Sequence, residues 1–436
     1  MQPTTYRTLV ALALPAIASA LLNNFYRVVD LFSVQWLGTD AQAALGSCSF
    51  VSIAFYSLFM LISAGAGPLL ARAVGAEDTT QQQKVVSASL LLCLLTGVIF
   101  SVGLSLGARP ITEALGLVEG AADSLEIYLY TLGVSGFFFA FGPVVDALFI
   151  ASGDTRTPMW LQLISTVTNA GLNFVLIYHY QLGIAGAALA SSISRALIAC
   201  LGVWILRSRF GLIRLPIGPL VSHQMKMIRI GTPFALGIFL YAIAYWGILR
   251  WAVSPLGPHV NAALGIGFSA LEGISWPLYA GVMMAVSSLI GRQLGAGALE
   301  ETHRSVKAML KVATVIGALC CLVFLLAAEP LCGLFTQDPE VLREAILYAH
   351  ILGWSQFFVA YEAGFEGVLG GAGDHGYQLW LSAPLNLTRI PLGYLMAVEL
   401  GWGAMGVWWA INITTLIKAL GKGYLVKRGS WRTLEL

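Results

Sequence analysis

The chain has 436 residues, of which 58% are hydrophobic and only 11% charged, with a mean hydropathy of +0.79. Ordinary soluble domains carry about 25% charged residues, so the composition excludes a soluble globular protein and indicates a polytopic membrane protein. The formal net charge of +2 points to no charged partner, and no nucleic-acid-binding signature accompanies it.

Apolar runs of about 20 residues read as membrane-spanning helices. They fall at 9–37, 42–71, 84–107, 123–151, 158–180, 183–206, 227–255, 261–291, 305–327, 341–370, 376–398 and 402–425, which makes an all-α chain of twelve spans. The first span holds the run PAIASALLNNFYRVVD. Pro15 is a site where the helix can kink. Asn23, Asn24, Arg27 and Asp30 follow within an otherwise apolar stretch. A charge at the bilayer centre costs roughly 3 kcal/mol even on a lenient scale, so Asp30 must face protein or trapped water. Arg27, three residues earlier, is a possible partner. Arg7 followed by LVALALPAIASA also has the cast of a signal peptide. The apolar pattern that continues to Leu37, and a matching proline at Pro233, favour a retained span.

Most of the 24 lysines and arginines flank one set of loops, from Arg7, Arg72 and Lys84 through Arg207, Arg209 and Arg292 to Lys418, Lys422 and Lys427. The opposite loops hold only Arg109 and Arg343. Under the positive-inside rule this places both termini in the cytoplasm.

The two halves repeat. Pro15 matches Pro233, ARAVGA at 71–76 matches GRQLGA at 291–296, and SGD at 152–154 matches GGD at 372–374. Six spans separate the copies, so both halves have the same orientation and form parallel repeats about an axis along the membrane normal. The expected lobes are 1–206 and 227–436, joined by a basic cytoplasmic linker at 207–226 that contains Arg214, Pro216 and Pro219. Two such bundles leave a central cleft, which suits alternating access.

Asn169 and Asn173 are spaced i, i+4 and share one helix face. Glu362 and Glu366 share another, and Glu272 and Arg389 are further charges inside spans. A pair between Arg389 and a glutamate of the tenth span is the expected structural use. Asp146 matches Glu366 in the repeat. In GDTRTP, Gly153 frees the backbone, Asp154 and Thr155 can cap, and Pro158 opens the fifth span. The six cysteines form no CxxC pair and read as packing residues. The six histidines show no ligand spacing. HExxH, nucleophile and phosphate-loop motifs are absent, which argues against an enzyme.

Several segments carry a family likeness: ALPAIASALLNNFYRVVDLFSVQWLG at 13–38, ARAVGA at 71–76, GDTRTPM at 153–159, NAGLNFVLIY at 169–178, LGIAGAALAS at 182–191 and LIGRQLGAG at 289–297. In this order, with the internal repeat, the chain resembles the multidrug and toxic compound extrusion (MATE) transporters of the MOP flippase superfamily. The resemblance implies a monomeric secondary antiporter in a bacterial inner membrane. Such a protein exports small organic compounds, cationic and amphipathic, in exchange for Na⁺ or H⁺, with membrane lipids as neighbours and no other cofactor. It implies that Asp30 is the coupling acid, with Ser191 at a position where a hydroxyl is frequent. Asp30, Asn169, Asn173 and Ser191 then offer hard oxygen ligands for Na⁺, or a network for a proton. Some members carry a second acid where this chain has Ile177. Another branch uses an acid on the seventh helix where this chain has Tyr241, so no cation role carries over there. Tyr241, Glu272, Glu362, Glu366 and Arg389 are candidate linings of the substrate cleft. The alternative from the same superfamily is a flippase for lipids or lipid-linked oligosaccharides. Its anionic substrate calls for a basic cleft, whereas the embedded acids (Asp30, Asp146, Glu272, Glu362, Glu366) nearly balance the embedded bases (Arg27, Arg195, Arg250, Arg389).

Overall fold

The computed structural model describes residues 6–115, 119–211 and 217–436; Arg214 and Pro216 of the linker lie outside them. Twelve helical rods follow the predicted spans. They are α1 (Tyr6–Val34), α2 (Thr39–Gly75), α3 (Thr79–Leu115), α4 (Glu119–Ser135, then Phe141–Ala151), α5 (Arg156–Asn173) and α6 (Gly183–Phe210) in the first half. The second half holds α7 (Ile217–Gly247), α8 (Pro258–Ile266, then Gly273–Gly295), α9 (Leu299–Leu326), α10 (Pro339–Gly353, then Gln356–Ala372), α11 (Ala383–Tyr394) and α12 (Ala404–Arg428). No strand occurs among the described residues. Among the described residues eight of these helices are long and apolar enough to cross a membrane, and the two parts of α4, bent by 74°, add a ninth if they are counted as one span. The last three rods are short in their pieces or carry charge: Glu362 and Glu366 on α10, Arg389 on α11, Lys418 and Lys422 on α12. Helix α1 runs unbroken through Pro15.

The chain packs as two compact units, Ala18–Ala235 and Met1–Ile17 with Leu236–Leu436. The divisions fall two residues after Pro15 and two after Pro233. They therefore lie inside α1 and α7, whereas the covalent linker at 207–226 precedes most of α7. The reason is burial. Leu9 and Ala13 share a core with Tyr279, Val282 and Ile290 of the second unit, and Met227 of α7 sits in the core of the first unit with Ile62, Ala66 and Val86. The approach is backbone to backbone. A Cβ on Gly231 would strike the Leu61 carbonyl, and one on Gly281 would stand 2.6 Å from the Ile17 nitrogen. Leu61 and Gly281 are repeat counterparts, so the same crossing is built once in each unit. Small residues permit such close packing between membrane helices.

The repeat extends to the backbone. The turn Gly153 (φ 90°) has its counterpart in Gly373 (φ 84°), and Gly183 (φ 56°) in Gly403 (φ 59°). The final turns of α5 and α11 both widen into π-helix, at Phe174–His179 and Leu395–Glu399. At two counterparts of left-handed glycines the first half holds side chains: Glu77 (φ 57°) opposite Gly297, and Gln181 (φ 53°) opposite Gly401. A residue with a Cβ pays roughly 1–2 kcal/mol there. Glu77→Gly and Gln181→Gly are each expected to raise stability by about 1 kcal/mol after the entropy of glycine is set against that strain. Thermal unfolding of the purified protein measures this, and an unchanged or lower midpoint contradicts it.

The turn before α5 follows its sequence. Asp154 Oδ1 accepts from the N–H groups of Arg156 and Thr157, both at 3.0 Å, and Oδ2 accepts from Thr157 Oγ1 at 2.7 Å. Arg209 of α6 ties in at 3.0 Å. Burial pushes the Asp154 carboxyl up, but the Thr157 hydrogen bonds and the Arg209 guanidinium outweigh it and hold the group below the usual aspartate value. A depressed folded pKa stabilises above the unfolded pKa and is lost as pH falls through the folded one. Asp154→Ala is expected to cost about 1–2 kcal/mol at neutral pH, with a deficit that shrinks on acidification below the aspartate range. A pH series of unfolding midpoints tests this; a deficit constant down to acid pH excludes the ionised cap.

Candidate functional site

Helices α1 and α5 lie side by side and point the same way. Leu22 O accepts from Thr166 Oγ1 at 3.4 Å, Tyr26 OH from Asn169 Nδ2 at 3.1 Å, and Asp30 Oδ1 from Asn173 Nδ2 at 2.9 Å. Each step is about one turn, so one ladder of polar groups climbs the seam. Helix α6 closes it: Ser191 Oγ donates to Asp30 Oδ2 at 3.1 Å, and Asn169 Nδ2 reaches Ser191 Oγ at 3.3 Å. Asn169 and Asn173 are wholly buried, and Asn173 Nδ2 also donates to Asn169 Oδ1 at 3.2 Å. Asp30, Asn169, Asn173 and Ser191 are therefore one cluster. Asn173 Oδ1 is buried without a hydrogen-bond partner.

Asp30 makes no ion pair among the described residues. Arg27 is exposed and forms no ion pair with it. The nearby guanidinium belongs to Arg195 of α6. It lies 4.3 Å from the centre of the Tyr26 ring and donates at 3.2 Å to both Gln162 Oε1 and Asn23 Oδ1. Tyr26 OH in turn meets Ser194 Oγ at 3.1 Å. Tyr26, Gln162 and Ser194 escaped the sequence reading, because a tyrosine or serine in a span carries no charge to mark it. Spacing could have found Tyr26, one turn before Asp30.

The second unit handles its charges differently. Lys422, with no exposed surface, donates to Glu362 Oε1 at 2.7 Å and to Glu366 Oε1; Lys418 lies 3.0 Å from Glu362 Oε1. Gln378 Nε2 adds a bond to Glu366 at 3.2 Å. The count of cytoplasmic charges placed Lys418 and Lys422 among the loop residues; they are buried partners of the α10 acids. Arg389 pairs with neither glutamate. It donates to Thr414 Oγ1 at 2.8 Å and Thr415 Oγ1 at 2.9 Å. Glu272 accepts from Tyr348 OH at 2.6 Å. Tyr241 is exposed on α7. Asp146 is half-buried on α4, and the counterparts of Lys418 and Lys422 around it are Ile198 and Gly202.

The repeat also shows what the second unit lacks. At the offset of 220 that pairs Gly183 with Gly403, Asn169 corresponds to Arg389, Asn173 to Gly393 and Ser191 to Ile411. At the smaller offset of the first spans, Asp30 falls on Ile248 or Leu249, apolar either way. No group of three or more metal-ligating His, Cys, Asp or Glu side chains occurs among the described residues.

Twelve helices in two parallel repeats, with a buried polar seam around one membrane-embedded carboxylate, define a multi-pass membrane transporter. The chain belongs to the MatE family, whose model matches residues 15–175 and 223–395. It is 25% identical to the probable multidrug resistance protein NorM of Thermotoga maritima, over 98% of this chain and 94% of that protein. It is 24% identical to the FAD transporter of Shewanella oneidensis, over 97% and 94%. The fold matches the crystal structure of the Vibrio cholerae MATE transporter VcmN in its bent form, with a TM-score of 0.88 at 19% identity, covering 98% of this chain and 97% of that one.

Proposed function

We propose that the protein is a secondary active multidrug exporter that exchanges an organic compound for a cation taken up at Asp30. The observation that carries this reading is a carboxylate inside a membrane span whose hydrogen-bond partners, Asn173 and Ser191, are all neutral. Such a group can gain and lose a cation without first breaking an ion pair. Asp30, Ser191 Oγ and the unpartnered Asn173 Oδ1 are oxygen donors of the kind that suit Na⁺. The same hydroxyl and amides can serve a protonated carboxyl, so H⁺ fits as well.

The repeat supports the first unit as the coupling unit. Where it has Asn169 the second has a guanidinium, and where it has Asp30 the second has an aliphatic residue. A cation at the corresponding place would meet the guanidinium of Arg389. The multidrug names of relatives such as NorM support the substrate class, and nothing in them favours an oligosaccharide flippase. Loading Asp30 biases the alternating-access equilibrium by the difference in its cation affinity between states. The substrate leaves as the opposite bias returns.

The test is efflux of ethidium from proteoliposomes under an imposed pH gradient, then under an imposed sodium gradient, one at a time. FAD runs as a second substrate because of the Shewanella relative. Efflux that ignores both gradients rejects the exchange.

A further inference from the structure

Below the coupling cluster, toward the cytoplasmic end, the same two helices enclose a groove. Its walls are Ala18, Leu21, Leu22 and Phe25 of α1 and Met159, Trp160 and Leu163 of α5, around a volume of about 400 Å³. The α1 wall is a ladder at i, i+3, i+4 and i+7, Ala18, Leu21, Leu22 and Phe25, and the α5 wall, Met159, Trp160 and Leu163, follows the same spacing one turn after Arg156. No polar side chain lines the groove. Ala18, the smallest member, leaves the space. Phe25 and Trp160 are both 57% exposed at its mouth. Over seven residues a helix rises about 10 Å, the length of roughly eight methylenes of an extended chain.

A cation precedes the α5 wall. Arg156 is exposed and lies one turn before Met159 and Trp160. Its backbone N–H is already taken by Asp154, whose charge Arg209 meets at 3.0 Å. The guanidinium itself has no hydrogen bond or ion pair among the described residues. Both helices start on the side of the basic loops, so Arg156 stands at the level of the cytoplasmic headgroups.

We propose that this groove is a binding site for an anionic phospholipid of the cytoplasmic leaflet, its acyl chain lying between α1 and α5 and its phosphate on Arg156. An apolar slot with a single cation at its headgroup end complements that ligand, and a neutral or zwitterionic lipid answers only the slot. The site shares the α1–α5 seam with Asp30 but uses none of its residues, so it stands whether or not Asp30 couples transport.

Native mass spectrometry of the purified protein with phosphatidylglycerol or phosphatidylcholine of equal chain length tests it. Wild type is expected to retain phosphatidylglycerol preferentially. Arg156→Gln is expected to cut that preference about fivefold, the usual worth of one basic side chain at an anionic surface, and Ala18→Phe to lower retention of both lipids. Arg229→Gln, an exposed cation elsewhere on the same side, is expected to change nothing. Equal retention of the two lipids by wild type overturns the proposal. So does an equal loss in Arg229→Gln, or displacement of the lipid by ethidium, which makes the groove a substrate path. Displacement by free glycerol phosphate at equal concentration also overturns it, because the acyl chain then adds nothing.

Discussion

Asp30→Asn is expected to abolish gradient-driven efflux while leaving the folded protein in place. The amide has the shape of the carboxyl: its oxygen can still accept from Asn173 Nδ2, and its NH2 can donate to Ser191 Oγ once that hydroxyl turns to accept, but the group can no longer change charge. One elementary charge moving down 100 mV yields about 2.3 kcal/mol, or roughly fiftyfold accumulation at 1.4 kcal/mol per decade. If a monovalent cation exchanges for a singly charged substrate, the charges cancel and only the concentration gradient drives export. In either case the variant should fall to the level of empty vesicles under a pH or sodium gradient, with substrate binding retained. Wild-type efflux by Asp30→Asn would falsify the coupling role.

Lys422→Met should be among the most damaging single changes for stability. The side chain is wholly buried and serves both Glu362 and Glu366. Removing one partner of a buried ion pair costs about 3–5 kcal/mol, because it strands the opposite charge. Lys418 still answers Glu362 in that variant, so the stranded acid is Glu366, left with Gln378 alone. Adding Glu366→Gln removes the stranded charge and should restore most of the loss. Unfolding midpoints of the single and double variants decide it; a double variant no better than the single one means that packing, not charge, is what Lys422 supplies. The double variant is also expected to keep gradient-driven efflux, which separates a structural quartet from a coupling one.

The rods were legible because a span must be apolar over its length, and the cluster around Asp30 because a lone acid in such a span demands explanation. The i, i+4 asparagines named their helix face. The lysines of α12 misled for a physical reason. A cation near the end of an apolar run looks the same whether it snorkels to water or turns inward to an acid, and only packing tells them apart. Arg389 misled similarly: the nearest acids in the sequence were already claimed, and two threonines met its donors instead. The exchange of helix starts between the units, Leu9 with Tyr279 and Met227 with Ile62, leaves no local mark, since apolar residues are buried against whichever apolar neighbour the fold provides.

The quartet of Glu362, Glu366, Lys418 and Lys422 sums to no charge. Carried as a body through the membrane field it does no electrical work, however far it travels. Voltage therefore has no grip on the turnover rate through these four residues. Any dependence of the cycle on membrane potential has to enter through other charges, among them the embedded Asp30, Arg195, Glu272 and Arg389, none of which belongs to the quartet.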